Sequence, residues 1–308
     1  MTTNIIRRLN SVKNLPTIPE IALRAQQIIY SDEGDAAALA RLIEQDPSIS
    51  AKVLQLANSS FYSAANRISS VSTAITRLGF NEIGDLVIAT AVIKAMSQQP
   101  SRYLDYKQFW RHALTAAQMA SIAAQANGVR SGMVDRHSLY LSGLMHDIGI
   151  LIYDQFFHEE FQEILDYAAE HELSYLEAER AAAPKDSHAA LGAALLEIWK
   201  LTPAVINGVR FHHSPERAPD KQKTIPCAIY LSEYILCNSR IGSFEGVVER
   251  HDGVGGVAHI GATELPEYMK RAEAELEKSD ILSTLSLGGG TGPQASAPPT
   301  QNLFLRTI

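Results

Sequence analysis

Histidines in distinctive local contexts are the chain's clearest chemical feature. Five of its ten histidines fall within or beside predicted helices in the second half of the candidate fold, and two acidic residues accompany them. The seven residues are His112, His146, Asp147, His188, His212, His213 and Glu233. Imidazole and carboxylate groups are the ligands that hard or borderline divalent metal ions take in proteins.

The wide spacing of these residues restricts how they could act together. Residues so far apart in sequence can meet only if the helices that carry them pack around a shared centre. Seven ligands could serve two metal ions. Two ions ~3.5–4 Å apart can bridge a hydroxide and hold a phosphoryl oxygen, which is the arrangement of a phosphohydrolase.

The elements that must position these residues are predicted to be helices. From residue 35 to residue 56, apolar side chains recur at i, i+3 and i+4, whereas alternating β-branched runs are nearly absent. Asp46-Pro47 fits an N-cap followed by proline at the first helical position. Ser70 or Ser72 can cap the next helix, which Gly79 ends. The sequence therefore predicts an all-α fold.

The region around the histidines also divides into helical segments. They cover Phe109–Gln125, closed by Asn127-Gly128, then Asp135–Met145, Phe161–Glu179, a helix capped by Ser187, Pro203–Phe211, Thr224–Cys237 and Leu265–Lys278. Glycine recurs without a period from 242 to 261, which predicts a loop. Residues 287–308 have the composition of a disordered tail.

Composition excludes several classes of protein. The chain has 308 residues, is 46% hydrophobic and 20% charged, and carries a formal charge of −7, so disorder throughout is excluded. The sequence shows neither an apolar run long enough to span a membrane nor a signal peptide, so we expect a cytoplasmic protein. The acidic balance gives no reason to expect membrane or nucleic-acid binding. The two cysteines match no metal or redox spacing.

Several stretches together resemble one known family. LPTIPEIALRAQQII, LARLIEQDPSISAKVLQLANSSFY and RISSVSTAITRLGFNEIGDLVIATAV resemble the amino-terminal part of an HDOD domain. FWRHAL, LYLSGLMHDIGIL, SHAALGAALLEIW and VINGVRFHHSP resemble its HD-like part. The resemblance covers about Ile5 to Ser239. It implies a helical bacterial signalling module related to HD-domain metal phosphohydrolases, in a family where many members lack metal ligands and act by binding partners.

The same resemblance implies roles for the seven residues. They match ligand positions of the catalytic HD-GYP branch, which hydrolyses cyclic di-GMP, except that Glu233 stands where that family usually has aspartate. The implied cofactor is one or two divalent ions of iron, manganese or zinc. In an enzyme, one ion would be held by His112, His146, Asp147 and Glu233, and the other by His188, His212 and His213. Asp147 would be the catalytic residue.

Three departures weaken the implied enzyme activity. Gln108 stands where the HD-GYP branch has an acidic residue, so a third metal ion is not expected. Ile150 replaces a lysine that commonly follows the His-Asp motif, and HHSPERAP replaces the GYP stretch. These changes remove substrate contacts but leave the ligand set in place. Metal binding is therefore better supported than turnover, and hydrolysis of cyclic di-GMP is not expected.

Structural alternatives remain open for each motif. His146-Asp147 could be a helix-end pair satisfied by backbone hydrogen bonds. His212-His213 could be a solvated helix end, where a cation is favourable. Glu233 could face water or pair with Arg240.

The favoured interpretation is a regulatory HDOD module that binds a protein partner or a small ligand, including a nucleotide, with a metal site in its HD-like part. A metal-dependent phosphohydrolase acting on a nucleotide or another phosphoester is the alternative, and a metal-free scaffold is the third. The predicted division is an amino-terminal helical subdomain at 1–99, an HD-like subdomain at 100–240, a loop and short helix at 241–286, and the tail.

Overall fold

The computed structural model describes residues 5–31, 34–62, 67–126, 134–183, 187–239 and 264–287. All the regular secondary structure in these ranges is helical. No strand occurs within those ranges. The predicted all-α fold class is therefore confirmed. The predicted loop at 242–261, the helix end at Asn127-Gly128 and nearly all of the predicted tail lie outside the described residues.

Fifteen α-helices occur in the described part of the chain: α1 (Ile5–Leu9), α2 (Glu20–Tyr30), α3 (Ala36–Glu44), α4 (Pro47–Ala57), α5 (Val71–Leu78), α6 (Phe80–Met96), α7 (Tyr106–Ala126), α8 (Arg136–Met145), α9 (Ile148–Phe156), α10 (His158–His171), α11 (Tyr175–Ala182), α12 (His188–Ile198), α13 (Pro203–Arg210), α14 (Thr224–Ser239) and α15 (Leu265–Ser286). Short 3-10 turns lie at Ser60–Tyr62, Pro215–Arg217 and Asp220–Gln222.

Local sequence signals set several helix ends where they were predicted. Asp46 caps α4, because its Oδ1 accepts from the backbone N–H groups of Ser48 at 2.8 Å and Ile49 at 3.2 Å. Ser70, and not Ser72, caps α5. Gly79 ends that helix with a φ of 100°, a conformation that side chains other than glycine rarely adopt. These caps satisfy backbone groups that a helix leaves free at its ends.

The described residues form two compact units. The small unit contains those within Pro16–Gln99 and Glu277–Gly292, and the large unit contains those within Met1–Leu15 and Pro100–Leu276. Helix α1 therefore belongs to the large unit, where Arg8 pairs with Glu160 and its guanidinium lies 5.1 Å from the centre of the Phe157 ring. Residues 5–15 thus belong to a different unit from the residues that follow them.

The small unit is built around α6. This helix is buried on nearly every side, and α2, α3, α4 and α5 all contact it. The second half of α15 completes the unit: Lys278 is buried and pairs with Glu82, and Leu282 is buried. The charged helix predicted at Leu265–Lys278 therefore continues to Ser286.

Several helices of the large unit each pack against two or more others. Helix α7 packs against α8 and α14, α12 packs against α9 and α13, and α13 also packs against α8. Gly143 permits a close crossing of α8 and α7, because a Cβ there would lie 2.6 Å from the Ala117 Cα. Among the described residues, no helix is both long and apolar enough to cross a membrane.

Candidate metal centre

The large unit brings all seven predicted residues to one place. His112 lies in the second turn of α7, and Glu233 lies in the middle of α14. His146 and Asp147 occupy the junction between α8 and α9. His188 begins α12, and the pair His212-His213 follows the end of α13. Five helix ends or faces therefore converge on a single cluster, which we call the histidine cluster.

The first half of the histidine cluster contains two imidazoles and two carboxylates. His112 Nε2 lies 3.3 Å from His146 Nε2 and 3.2 Å from Glu233 Oε1. Asp147 Oδ2 lies 2.9 Å from His146 Nε2 and 3.6 Å from His112 Nε2. The ligand atoms of His112, His146 and Asp147 all lie within 4.8 Å of one another, close enough for one ion to bind all three, and Glu233 Oε1 lies next to both imidazoles.

The second half contains three imidazoles and the other oxygen of the same aspartate. His188 Nε2 lies 3.3 Å from His212 Nε2 and 3.1 Å from His213 Nε2. Asp147 Oδ1 lies 3.3 Å from His188 Nε2 and 3.7 Å from His212 Nε2. Asp147 therefore faces one half with each oxygen, and it would offer one oxygen to each of two ions if both halves held one.

Backbone contacts fix the orientation of two of the rings. His146 Nδ1 lies 2.7 Å from the carbonyl oxygen of Gly143, and His212 Nδ1 lies 2.6 Å from that of Val209. A carbonyl oxygen only accepts hydrogen bonds, so Nδ1 donates in each ring. In the neutral form, both Nε2 atoms then present lone pairs to the cluster, as metal ligation requires.

A further buried residue lies at the cluster, Glu179 of α11. Its Oε2 lies 2.9 Å from His188 Nδ1, and its Oε1 accepts from the His188 backbone N–H at 2.7 Å. The hydroxyl of Tyr175 donates to the same Oε1 at 2.9 Å. No motif identifies this glutamate, since only the packing of α11 near the start of α12 brings it to His188.

Carboxylates decide the protonation of two rings. Burial disfavours the charged form of His146, but Asp147 and Glu233 outweigh burial and raise its pKa to about 9. Burial acts in the same sense on His188, where Glu179 and Asp147 raise the pKa to about 10. Without a metal ion, both rings are therefore imidazolium cations at neutral pH, with a proton on each ring nitrogen.

Two other rings of the cluster, those of His212 and His213, have lowered pKa values. Burial and the charges on His146 and His188 together lower the pKa of His212 to about 3. Burial and neighbouring imidazoles likewise hold the pKa of His213 well below its usual value. These two rings are neutral at physiological pH and can coordinate an ion without releasing a proton.

The residues present fit divalent metal ions. The side chains of His112, His146, Asp147, His188 and His212 are at least nine-tenths buried, so water does not solvate their converging polar atoms. Glu233 Oε1 is also buried and makes no hydrogen bond of acceptable geometry, although His112 Nε2 lies near it. Carboxylates that converge in a buried volume are costly unless a cation offsets their charge; protonated His146 and His188 supply it when no ion is bound, and a divalent ion can supply it in their place.

Two of the three departures from the HD-GYP pattern, Ile150 and Gln108, have different surroundings in the structure. Ile150 is fully buried in the first turn of α9, so an aliphatic side chain fills the position. Gln108 donates from its side-chain amide to Asp105 Oδ2 at 3.1 Å, four residues before His112. Neither residue places a charge beside the histidine cluster.

The fold and the site together define a class: an all-α protein whose helices converge on a buried centre of histidines and carboxylates. A family model described as HDOD domain matches residues 15–215, and the chain belongs to this family. That match includes every residue of the histidine cluster except Glu233. The family resemblance found in the sequence is therefore confirmed.

Solved structures share the fold. An HDOD domain protein of unknown function from Geobacter sulfurreducens superposes with a TM-score of 0.74 at 25% identity, over 91% of this chain and 96% of that one. A candidate phosphohydrolase from Shewanella amazonensis SB2B gives 0.66 at 20% identity, over 91% and 98%. A candidate signal transduction protein from Marinobacter aquaeolei VT8 gives 0.68 at 23% identity, over 92% and 62%.

One curated relative extends well beyond the matched region. An uncharacterized protein of Treponema pallidum (strain Nichols) is 26% identical over 219 residues, which is 70% of this chain and 40% of that protein. The chain thus matches less than half the length of this relative.

Proposed function

We propose that the chain is a regulatory HDOD module whose large unit binds two divalent metal ions. The observation that carries this proposal is the position of Asp147, whose two oxygens face two separate groups of imidazole nitrogens. The first ion would be held by His112, His146, Asp147 and Glu233. The second would be held by Asp147, His188, His212 and His213. Iron, manganese and zinc all accept such ligands.

Metal binding would serve the module by joining helices that are far apart in sequence. The ligands lie on α7 and α14, at the start of α12, and beside the ends of α8 and α13. A protein partner or a small ligand, including a nucleotide, would then be recognised by a unit whose order depends on the ions. The family membership and the likeness to a candidate signal transduction protein support this role.

A metal-dependent phosphohydrolase is the second candidate, and the shared aspartate favours it. Two divalent ions held beside Asp147 would supply Lewis acidity and would activate water for the hydrolysis of a phosphoester. In such an enzyme, Asp147 would bind both ions and fix the distance between them. His213 and Glu233, which are partly exposed, would lie on the side that the substrate approaches. The buried Ile150 supplies no contact to a phosphate, which is why we rank this function second.

Elemental analysis tests the metal proposal. Protein purified without chelators and reconstituted separately with iron, manganese and zinc should hold about two ions per chain with at least one of these metals. Asp147→Ala removes both shared oxygens and should lower the content below about one ion. His171→Ala, which changes an exposed histidine away from the cluster, should leave it unaltered. A wild-type content under about a tenth of an ion with every metal would refute the proposal.

Turnover separates the two candidate functions. The loaded protein is incubated with cyclic di-GMP and, separately, with bis(4-nitrophenyl) phosphate as a generic phosphodiester. We expect no appreciable hydrolysis of cyclic di-GMP, because the substrate contacts that orient it are missing. Steady turnover that Asp147→Ala abolishes, at unchanged helix content, would place the enzyme above the regulatory module.

A further inference from the structure

Glu179 makes an unusually complete set of contacts for a buried carboxylate. Its side chain is fully buried, and it accepts from the His188 backbone N–H, from Tyr175 Oη and from the His188 ring. Helix α12 does not need Glu179 as its cap, because Ser187 already accepts from the Ala190 backbone N–H. The contact to the imidazole ring is therefore additional to helix capping.

The ring contact determines which nitrogen of His188 faces the cluster as a lone pair. An ionised carboxylate has no proton to donate, so the hydrogen bond at 2.9 Å requires a proton on Nδ1. In the neutral ring, Nε2 is then the acceptor, and it is the atom nearest to His213, His212 and Asp147. His146 and His212 obtain the same orientation from backbone carbonyls, whereas His188 obtains it from a charged side chain.

We propose that Glu179 is a positioning residue for the second metal ion: through its hydrogen bond to Nδ1, it holds His188 with Nε2 free to coordinate. This inference rests on the proposed metal binding and adds an eighth residue to the site. The negative charge also offsets part of the ion's charge through the ring, which strengthens His188 as a ligand. Loss of such an outer partner typically costs about 10- to 100-fold in metal affinity.

Glu179→Gln provides a sharp test, because glutamine has the same shape but one oxygen. That oxygen is retained by the backbone N–H of His188 and the hydroxyl of Tyr175, which both donate to Oε1. The amide NH₂ then replaces Oε2, the nearer acceptor of Nδ1 at 2.9 Å, and leaves Nδ1 only Oε1, which lies 3.1 Å away and already accepts from two other donors. A proton on Nδ1 becomes less favourable, and the neutral ring shifts toward the form that carries its proton on Nε2. That proton blocks coordination at the second position.

The matched control is Asp154→Asn, which also neutralises a fully buried carboxylate of the large unit. Asp154 Oδ1 accepts from the backbone N–H groups of Arg102 and Tyr103 and belongs to no part of the histidine cluster. Wild type, Glu179→Gln and Asp154→Asn are titrated with zinc against a competing chelator. Each is also titrated with cobalt while the visible absorption is recorded.

The expected result is selective loss of one ion. Glu179→Gln should bind one zinc ion with wild-type affinity and the second about 10- to 100-fold more weakly, with the cobalt absorption of one site missing. Asp154→Asn should match the wild type. Equal binding of both ions by wild type and Glu179→Gln would overturn the inference while leaving the metal proposal intact. Failure of the wild type to bind any ion would overturn both.

A second measurement keeps the inference testable if Glu179→Gln does not fold. Zinc-loaded wild type labelled with ¹⁵N-histidine reports the tautomer of each ring, and the His188 signal is assigned by its absence in His188→Asn. We expect a protonated Nδ1 and a metal-bound Nε2. A His188 ring that binds zinc through Nδ1, or that carries its proton on Nε2, would overturn the inference.

Discussion

Protons compete with metal ions for the ring nitrogens of two histidines in the cluster. His146 and His188, with pKa values of about 9 and about 10, hold protons at neutral pH when no ion is bound. An ion that coordinates either ring through its Nε2 must displace the proton on that nitrogen. The affinity for the metal ion is therefore lower at any pH at which the ring is protonated. The unperturbed histidine pKa of ~6.5 would limit this competition to acidic solutions. The carboxylates extend it above neutral pH.

The resulting prediction concerns the pH dependence of zinc affinity. Between pH 6 and pH 8.5, the affinity of each ion should rise by about tenfold per pH unit, since each displaces about one proton. Competition with a chelator of known protonation measures the slope. Calorimetry in two buffers of different ionisation enthalpy gives the number of protons released. An affinity that is constant above pH 7 would show that neither ring is protonated there.

At the scale of elements, one close helix contact determines whether the two halves of the cluster meet. Gly149, in the first turn of α9, lies against the backbone of α12: a Cβ at this position would be 2.0 Å from the His188 carbonyl oxygen and 2.9 Å from the Gly192 nitrogen. Backbone atoms cannot rotate aside as a side chain can. The absence of a side chain thus lets Asp147 and His188 come within 3.3 Å.

Gly149→Ala should therefore weaken metal binding without changing a ligand. The added methyl group must push α9 away from α12, at a cost of about 1–3 kcal/mol in the free energy of unfolding. The second ion should bind more weakly, because Asp147 and His188 separate. Urea unfolding and zinc titration measure the two effects.

Gly84→Ala is the control for this prediction. A Cβ at Gly84 would lie 2.2 Å from Ile29 Cδ1, so the variant overpacks the small unit, although the Ile29 side chain can shift where the backbone of α12 cannot. It should lower stability but leave zinc affinity unchanged. Equal loss of affinity in both variants would indicate a general effect of destabilisation.

The limits of prediction from sequence also lie at this scale. The capped helices, such as α4 behind Asp46, were predictable because the signal and the structure are a few residues apart. Residue type and context single out the seven cluster residues, but only the family resemblance predicts that they form one site, since no local pattern brings His112 to Glu233. Glu179 could not be predicted, because its role depends on how α11 packs beside α12. The end of α15 at Ser286 could not be predicted, because lysine is normally a surface residue and Lys278 is buried.

At the scale of the whole molecule, the second half of α15 should matter for stability and residues 288–308 should not. Their glycine, proline and small polar residues offer little apolar area to offset the entropy of ordering. A chain ending at Leu287 should melt within a few degrees of the full chain. A chain ending at Leu276 loses the buried Leu282 and the pair of Lys278 with Glu82, and should melt at least about 5 °C lower. Scanning calorimetry compares the three, and a low melting temperature for the Leu287 chain would contradict the prediction.

The assignment of α1 to the large unit has a consequence for synthesis on the ribosome. Arg8 pairs with Glu160, 152 residues later. At about 5–20 residues per second, α1 waits roughly 8–30 seconds after emerging before its partner has been made. The helices of the small unit up to α6 are all translated within that interval, whereas the part of α15 that completes their unit comes later still. Nascent chains of this protein therefore pass through a long stage in which both units are incomplete, and a chaperone that binds exposed apolar helices would act during that stage.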